Sequence, residues 1–261
     1  MLYDTHLHLI YPDKLRYPWL DSFEVLNKPS TFDTYLTRAH RIGITGCLHM
    51  EVDVAEDQIK EETALVADLM ALPQSPMRGA ISACRPEDPN FPEFLDWAQS
   101  VPTIKGFRRV LHVMPDGLSQ TDTFRNNIKR LTGTGLTFDL CVLPHQLVWA
   151  SQLIDHCPEV TFILNHCGVP DVKAREIEPW GSSLSELAKR PNVLAKISGL
   201  IAYGDPDNWS LDDLRPFFEH TVSAFGHSRL VWGSDSPVCN LGGGLELSLI
   251  HISEPTRLGF I

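Results

Sequence analysis

The chain has 261 residues, 43% hydrophobic and 21% charged, with 22 Lys and Arg against 33 Asp and Glu and a formal net charge of −11, giving a pI near 5.4. That size and apolar content suit one large α/β domain or two small ones. The acidic balance argues against a phosphate-tracking nucleic-acid surface, and no apolar run approaches the ~20 residues of a membrane span.

In chain order, Leu2-Tyr3-Asp4-Thr5-His6-Leu7-His8-Leu9 reads as an apolar strand carrying two histidines one residue apart. Residues two apart on a strand share a face, so both imidazoles emerge together, either as a pair of nitrogen donors or as a satisfied pair at a strand end. The long connection Ile10 to Ser30, with Pro12, Pro18, Trp19 and Pro29, has the length of a lid or binding loop. A helix from Ser30 or Thr31 to Arg41 leads to a buried strand over Gly43 to Val52, and Ala55 to Leu72 has helical periodicity.

Further strands are expected at Arg78 to Cys84, Ile104 to Leu111, Leu136 to Val142, Val160 to His166, Val193 to Ser198 and Leu230 to Asp235. Between them fall helices at Phe91 to Gln99, Asp122 to Leu131, Gln146 to His156, Ser183 to Lys189 and Leu211 to Phe225, the last kinked at Pro216. Continuous apolar strands alternating with helices are the pattern of a closed, all-parallel sheet. The reading is an α/β protein, a (β/α)8 TIM barrel, with residues 1–245 as one domain. The eighth helix is missing or replaced: residues 246–261 read as an atypical tail, and His251 within it is given no role.

In such barrels catalytic groups sit at the C-terminal ends of strands. That rule selects His6 and His8, His49 and Glu51, Arg108, Arg109 and His112, then His166, then Asp235. His49 reads equally as a core histidine, His112 as a solvated loop residue, and Lys196 as a pocket residue or the partner of a nearby acid. His145 falls in a loop past Pro144, and His40, His156, His220 and His227 read as surface residues.

Four motifs carry a family resemblance: Asp4-x-His6-x-His8, Asn165-His166-Cys167-Gly168-x-Pro170-Asp171, Lys196-Ile197-Ser198-Gly199, and Trp232-Gly233-Ser234-Asp235-x-Pro237-Val238. Together they resemble the amidohydrolase superfamily, and within it the amidohydrolase-2 branch of lactone hydrolases, which act on sugar lactones and on 2-pyrone-4,6-dicarboxylate. The resemblance implies a hydrolytic site where His6, His8, His166 and Asp235 meet. Asp235 would be the general base, and the histidines, or one divalent ion (zinc or similar) held by His6, His8, His166 and Asp235, would stabilise the oxyanion. Catalysis without a metal is the alternative. A two-metal centre is not expected, because the fourth strand offers no bridging lysine and the fifth no clear histidine.

Arg108 and Arg109 alternate in direction, so one of them faces the lumen to pair with a substrate carboxylate or hydroxyl. Glu51 would bind a sugar hydroxyl or add a ligand, and Trp19 would touch substrate or cap the rim. A dicarboxylate would want more arginines than the fourth strand supplies, so the expected substrate is a small sugar-acid (aldono-1,4-) lactone. The alternatives are a metal-dependent decarboxylase of an aromatic or unsaturated acid, which relatives in the same branch are, and a non-catalytic ligand-binding barrel. Six scattered cysteines (Cys47, Cys84, Cys141, Cys157, Cys167, Cys239) form no CxxC pair. With no secretory leader expected, reduced thiols and a cytoplasmic setting follow. Oligomeric state is not legible in the sequence.

Overall fold

The computed structural model describes residues 1–205 and 208–249. Eight parallel strands follow one another in sequence order: β1 (Leu2–Leu7), β2 (Ile44–Met50), β3 (Met77–Ala83), β4 (Ile104–Val110), β5 (Thr137–Cys141), β6 (Phe162–Leu164), β7 (Val193–Ile197) and β8 (Leu230–Trp232). This is the (β/α)8 barrel expected from the alternation of elements. The helices are α1 (Phe32–Ala39), α2 (Ile59–Ala71), α3 (Phe91–Gln99), α4 (Asp122–Lys129), α5 (Leu147–His156), α6 (Trp180–Leu187), α7 (Leu200–Tyr203), α8 (Leu211–Phe225) and α9 (Leu245–Ser248).

Local chemistry starts several helices where the sequence changes from turn-forming to apolar. The Thr31 and Thr121 hydroxyls accept the Thr34 and Phe124 amides at the heads of α1 and α4, and Ser210 forms a capping box with Asp213 before α8; each such cap is worth ~1 kcal/mol. Pro216 lies inside α8 and leaves the Asp212 carbonyl without its helical donor. The layer between strands and helices is aromatic. Phe107 on β4 packs on Phe91 and Phe94, and Phe138 on β5 meets Phe124 and Phe162 edge-on with centroids 6.2 and 6.1 Å away.

The barrel closes between β1 and the end of β8 together with the turn that follows it. Asp235 N–H donates to the His6 carbonyl (2.9 Å), His8 N–H to the Ser236 carbonyl (2.8 Å), and the Thr5 hydroxyl to the Trp232 carbonyl (2.7 Å). Asp4 ties the same seam: its carboxylate accepts the Ser234 amide (2.8 Å), the His6 amide (3.1 Å) and the Tyr35 hydroxyl (2.8 Å). Gly233 is required here, because a Cβ at that position would overlap the His6 Cβ. Deeper in the lumen, buried Lys196 bonds Asp139 (2.9 Å) and the Thr5 carbonyl (3.1 Å), the structural pairing among the two roles considered for it.

Several expected boundaries are corrected. β6 stops at Leu164 and β8 at Trp232, so His166 and Asp235 lie in turns after the strands, both with left-handed backbones (φ 53° and 59°). The Ile10 to Ser30 connection is folded onto the barrel: Ile10 and Ser30 bridge each other, and Leu15, Leu20 and Leu26 form an apolar cluster with Val52 and Val54. In the expected tail the described part forms α9, a single turn in the place of a full eighth helix; the rest, with His251, lies outside the described residues. No described helix is long and apolar enough to cross a membrane.

Candidate active site

The C-terminal mouth of the barrel holds a cavity of about 340 Å³ lined by His8, Arg108, His166 and Asp235 among others. His6 lies buried beneath it, its ring centroid 4.9 Å from that of His8 and 4.6 Å from that of His166. Asp235 stands between the imidazoles: Oδ1 is 3.3 Å from His8 Nε2 and 3.7 Å from His6 Nε2, while Oδ2 is 3.8 Å from His166 Nδ1. The left-handed turns at His166 and Asp235 are uncommon for such residues and store strain that the surrounding hydrogen bonds must hold.

These contacts assign protons. The Met50 carbonyl can only accept, so His8 donates to it from Nδ1 (3.0 Å), and neutral His8 then carries a lone pair on Nε2. Arg108 Nη1 is a donor 3.5 Å from His6 Nε2, which makes that nitrogen an acceptor too. Two lone pairs thus face each other at 3.1 Å beside a carboxylate, an arrangement that repels unless a proton or a cation lies among them. The His6, His8 and Asp235 donor atoms all fall within 4.8 Å of one another, and two imidazoles with a carboxylate are a donor set that suits zinc. The residues therefore fit a divalent ion. His166 is outside that trio; its Nδ1 is engaged by Ser198 Oγ at 2.9 Å.

Burial, with Lys196 and the neighbouring histidines, drives His6 well below its ordinary value. His166 is pushed down to about 4 by burial and by Arg108 and Lys196 against the pull of Asp235, so it is neutral at physiological pH. For Asp235, burial raises the pKa, but His166, His8 and Arg108 outweigh it and hold the carboxyl below its usual range. An ionised carboxylate beside neutral imidazoles can accept a proton.

The other expected residues divide. Arg108 faces the lumen, giving Nε to Glu51 Oε1 (2.5 Å) and Nη2 to the Glu51 carbonyl (2.8 Å). Arg109 turns the other way, to Glu87 and the Met114 sulfur, and is not part of the cavity lining. Glu51 is buried behind Arg108 and also accepts the Asp53 amide, which leaves its carboxylate committed and away from the cavity. Trp19 lines the cavity while its Nε1–H donates to the Val52 carbonyl (2.8 Å). His49 is a core residue paired with Glu62 at 3.2 Å.

Two histidines change standing, and one tyrosine joins the lining. His112, expected in solvent, is half-buried in the lining with Nδ1 3.0 Å from the Cys141 sulfur. Burial raises the Cys141 thiol to about 12 and lowers His112, so the thiol stays protonated and the ring neutral. Tyr203, at the end of α7, also lines the cavity, with its ring edge-on to His166; a four-residue helix between Gly199 and Gly204 leaves no periodic signal. His220, expected at the surface, is half-buried against Trp180 and bonded to the Gly181 carbonyl.

The amidohydrolase family profile matches residues 3–249. The chain is 28% identical over 259 residues to the uncharacterized protein y4mH of Sinorhizobium fredii, covering 91% of this chain and 85% of that one. It is 25% identical over 276 residues to an L-fucono-1,5-lactonase of Burkholderia multivorans, covering 98% and 89%. Its fold superposes on a zinc-bound amidohydrolase of Burkholderia multivorans with a TM-score of 0.88 at 21% identity, covering 100% and 93%. The chain belongs to the amidohydrolase family and is a hydrolytic enzyme.

Proposed function

We propose that this protein opens a lactone ring by attack of water on the carbonyl carbon, with a sugar-acid (aldono-1,4-) lactone as substrate. The observation that carries the reading is Asp235, ionised, with one oxygen turned to His6 and His8 and the other to His166. Its carboxylate accepts a proton from the water that adds to the carbonyl. His166, neutral and steadied by Ser198, donates a hydrogen bond to the oxygen that gains charge. As the tetrahedral centre collapses, the ring C–O bond breaks and the proton on Asp235 passes to the departing ring oxygen. The product is the open hydroxy acid, and one water is consumed. A divalent ion held by His6, His8 and Asp235 would supply Lewis-acid polarisation of the carbonyl.

A relative named as a lactonase that covers nearly all of this chain supports the reading. All six cysteines are free and buried, which supports a reducing, cytoplasmic setting. The test is a panel of aldonolactones followed by acid release, with zinc or manganese added and with each withheld. Ring opening lost in Asp235→Asn upholds the proposal. Release of carbon dioxide from an aromatic acid with no lactone opened overturns it in favour of a decarboxylase.

A further inference from the structure

Most polar groups that line the cavity are already spent within the protein. Trp19 Nε1–H donates to the Val52 carbonyl, and Asp53 accepts Arg85 Nη2 at 3.4 Å. Arg108 gives two of its nitrogens to Glu51. His112 and Cys141 hold each other at 3.0 Å, and His166 Nδ1 is held by Ser198. Tyr203 is different. It lines the same cavity, partly buried at the end of α7, and among the described residues nothing pairs with its hydroxyl.

The chain has five tyrosines, and the other four use their hydroxyls. Tyr35 donates to Asp4 at 2.8 Å, Tyr11 and Tyr17 accept the Phe32 and Tyr11 amides at 2.9 and 3.0 Å, and Tyr3 reaches the Met1 sulfur at 3.9 Å. A packed tyrosine normally finds a partner for its hydroxyl, so one left unpaired in this cavity is placed for a ligand.

Its position follows from Gly199, where φ is 71° and a Cβ would lie 2.8 Å from His166 Nδ1 and 2.9 Å from Tyr203 Cε2. The two rings close over that glycine, edge-on with centroids 6.0 Å apart. Burial first, then the Asp235 carboxylate, pushes the phenol well above its ordinary value, so it keeps its hydrogen. His112, whose second nitrogen is also unspent, answers to Arg108 and Glu51 instead. Tyr203 is thus the unspent donor beside both His166 and the proton-accepting carboxylate.

We infer that the Tyr203 hydroxyl is a further catalytic group, a second donor beside His166 to the carbonyl oxygen of the substrate. This rests on the lactone-hydrolase reading and adds a residue to it. As water adds and Asp235 takes its proton, the carbonyl π pair moves onto oxygen, and the Tyr203 O–H stabilises that charge without giving up its hydrogen. On collapse the pair returns to the carbonyl, the ring C–O bond breaks and the proton on Asp235 goes to the ring oxygen. Tyr203 ends the cycle unchanged.

The test is Tyr203→Phe in the full chain, which removes one oxygen and keeps the ring against His166. With the aldonolactone that the wild type opens fastest, kcat should fall by about 10²–10³-fold, the cost of one oxyanion donor, with KM little changed. A six-membered cyclic phosphonate, which carries an anionic tetrahedral centre in place of the carbonyl, should bind the variant at least about tenfold more weakly by calorimetry. Tetrahydropyran, which has the ring without that centre, should not distinguish the two proteins. An unchanged kcat, a loss confined to KM, or phosphonate binding that is unmoved or undetectable overturns the inference while leaving lactone hydrolysis standing. If the wild type opens no lactone, the hydrolase reading fails and Tyr203 is judged on the phosphonate alone. Weaker binding to the variant then upholds it as a donor to a tetrahedral anion, and equal or absent binding overturns it.

Discussion

Glu51 and Arg108 form a buried ion pair across the barrel mouth, Nε to Oε1 at 2.5 Å, with the guanidinium also held by the Glu51 carbonyl. Burial disfavours both charges, yet each carries the other: Arg108 is raised and Glu51 lowered from the ordinary value of 4.5. Below that value the unfolded chain binds a proton that the folded chain does not. Stability from Glu51 is therefore complete above about pH 4.5 and is lost as pH falls through its depressed folded value. Glu51→Gln should cost about 3–5 kcal/mol at neutral pH by stranding Arg108 and should flatten the acid limb. Urea denaturation between pH 3 and 7 reads both effects.

Asp235 is assigned both a proton-accepting and an ion-holding part. Asp235→Asn should lower kcat by about 10²–10⁴-fold without changing the far-UV circular dichroism. His6→Ala and His8→Ala should lose a divalent ion that the wild type takes up after chelator stripping and reloading, as measured by elemental analysis. Retention of the full metal content in both variants would show that the trio is not the site.

Ser198 touches His166 and sits away from the proposed ion. Ser198→Ala should therefore lower kcat by about tenfold, the usual scale for a residue that orients a catalytic imidazole, with metal content unchanged. Ser198→Thr, which keeps the hydroxyl, should recover part of the loss.

Gly233 leaves no room for a methyl beside His6. Gly233→Ala should cost about 1–3 kcal/mol through overpacking and should weaken metal uptake along with folding, since the group displaced is a proposed ligand. Thermal melts with and without zinc would separate the two: the gain in Tm on adding zinc should shrink in the variant.

How far the site could be read in advance depended on range. His6 and His8 were legible because a period of two needs only the strand around them. The parity of Arg108 and Arg109 was legible too, but choosing between them required knowing that Phe107 packs outward on Phe91 and Phe94, which turns its neighbour Arg108 inward. His112 was misjudged because its partner Cys141 is 29 residues away in sequence. Tyr203 was missed because its helix is a single turn. Motifs pointed to His166 and Asp235, while the left-handed turns that aim them are held by contacts with Ser198, just past β7, and with the His6 carbonyl of β1 rather than by local propensity.

The hoop of strands has one joint, and the amide hydrogens of His8 and Asp235 are its rivets. Prying β8 from β1 would part the acid from both imidazoles in the same motion, so loss of catalysis on heating should track rupture at that joint even while the remaining seven strand pairs hold. Hydrogen exchange at those two amides, followed beside residual activity, should give one shared midpoint.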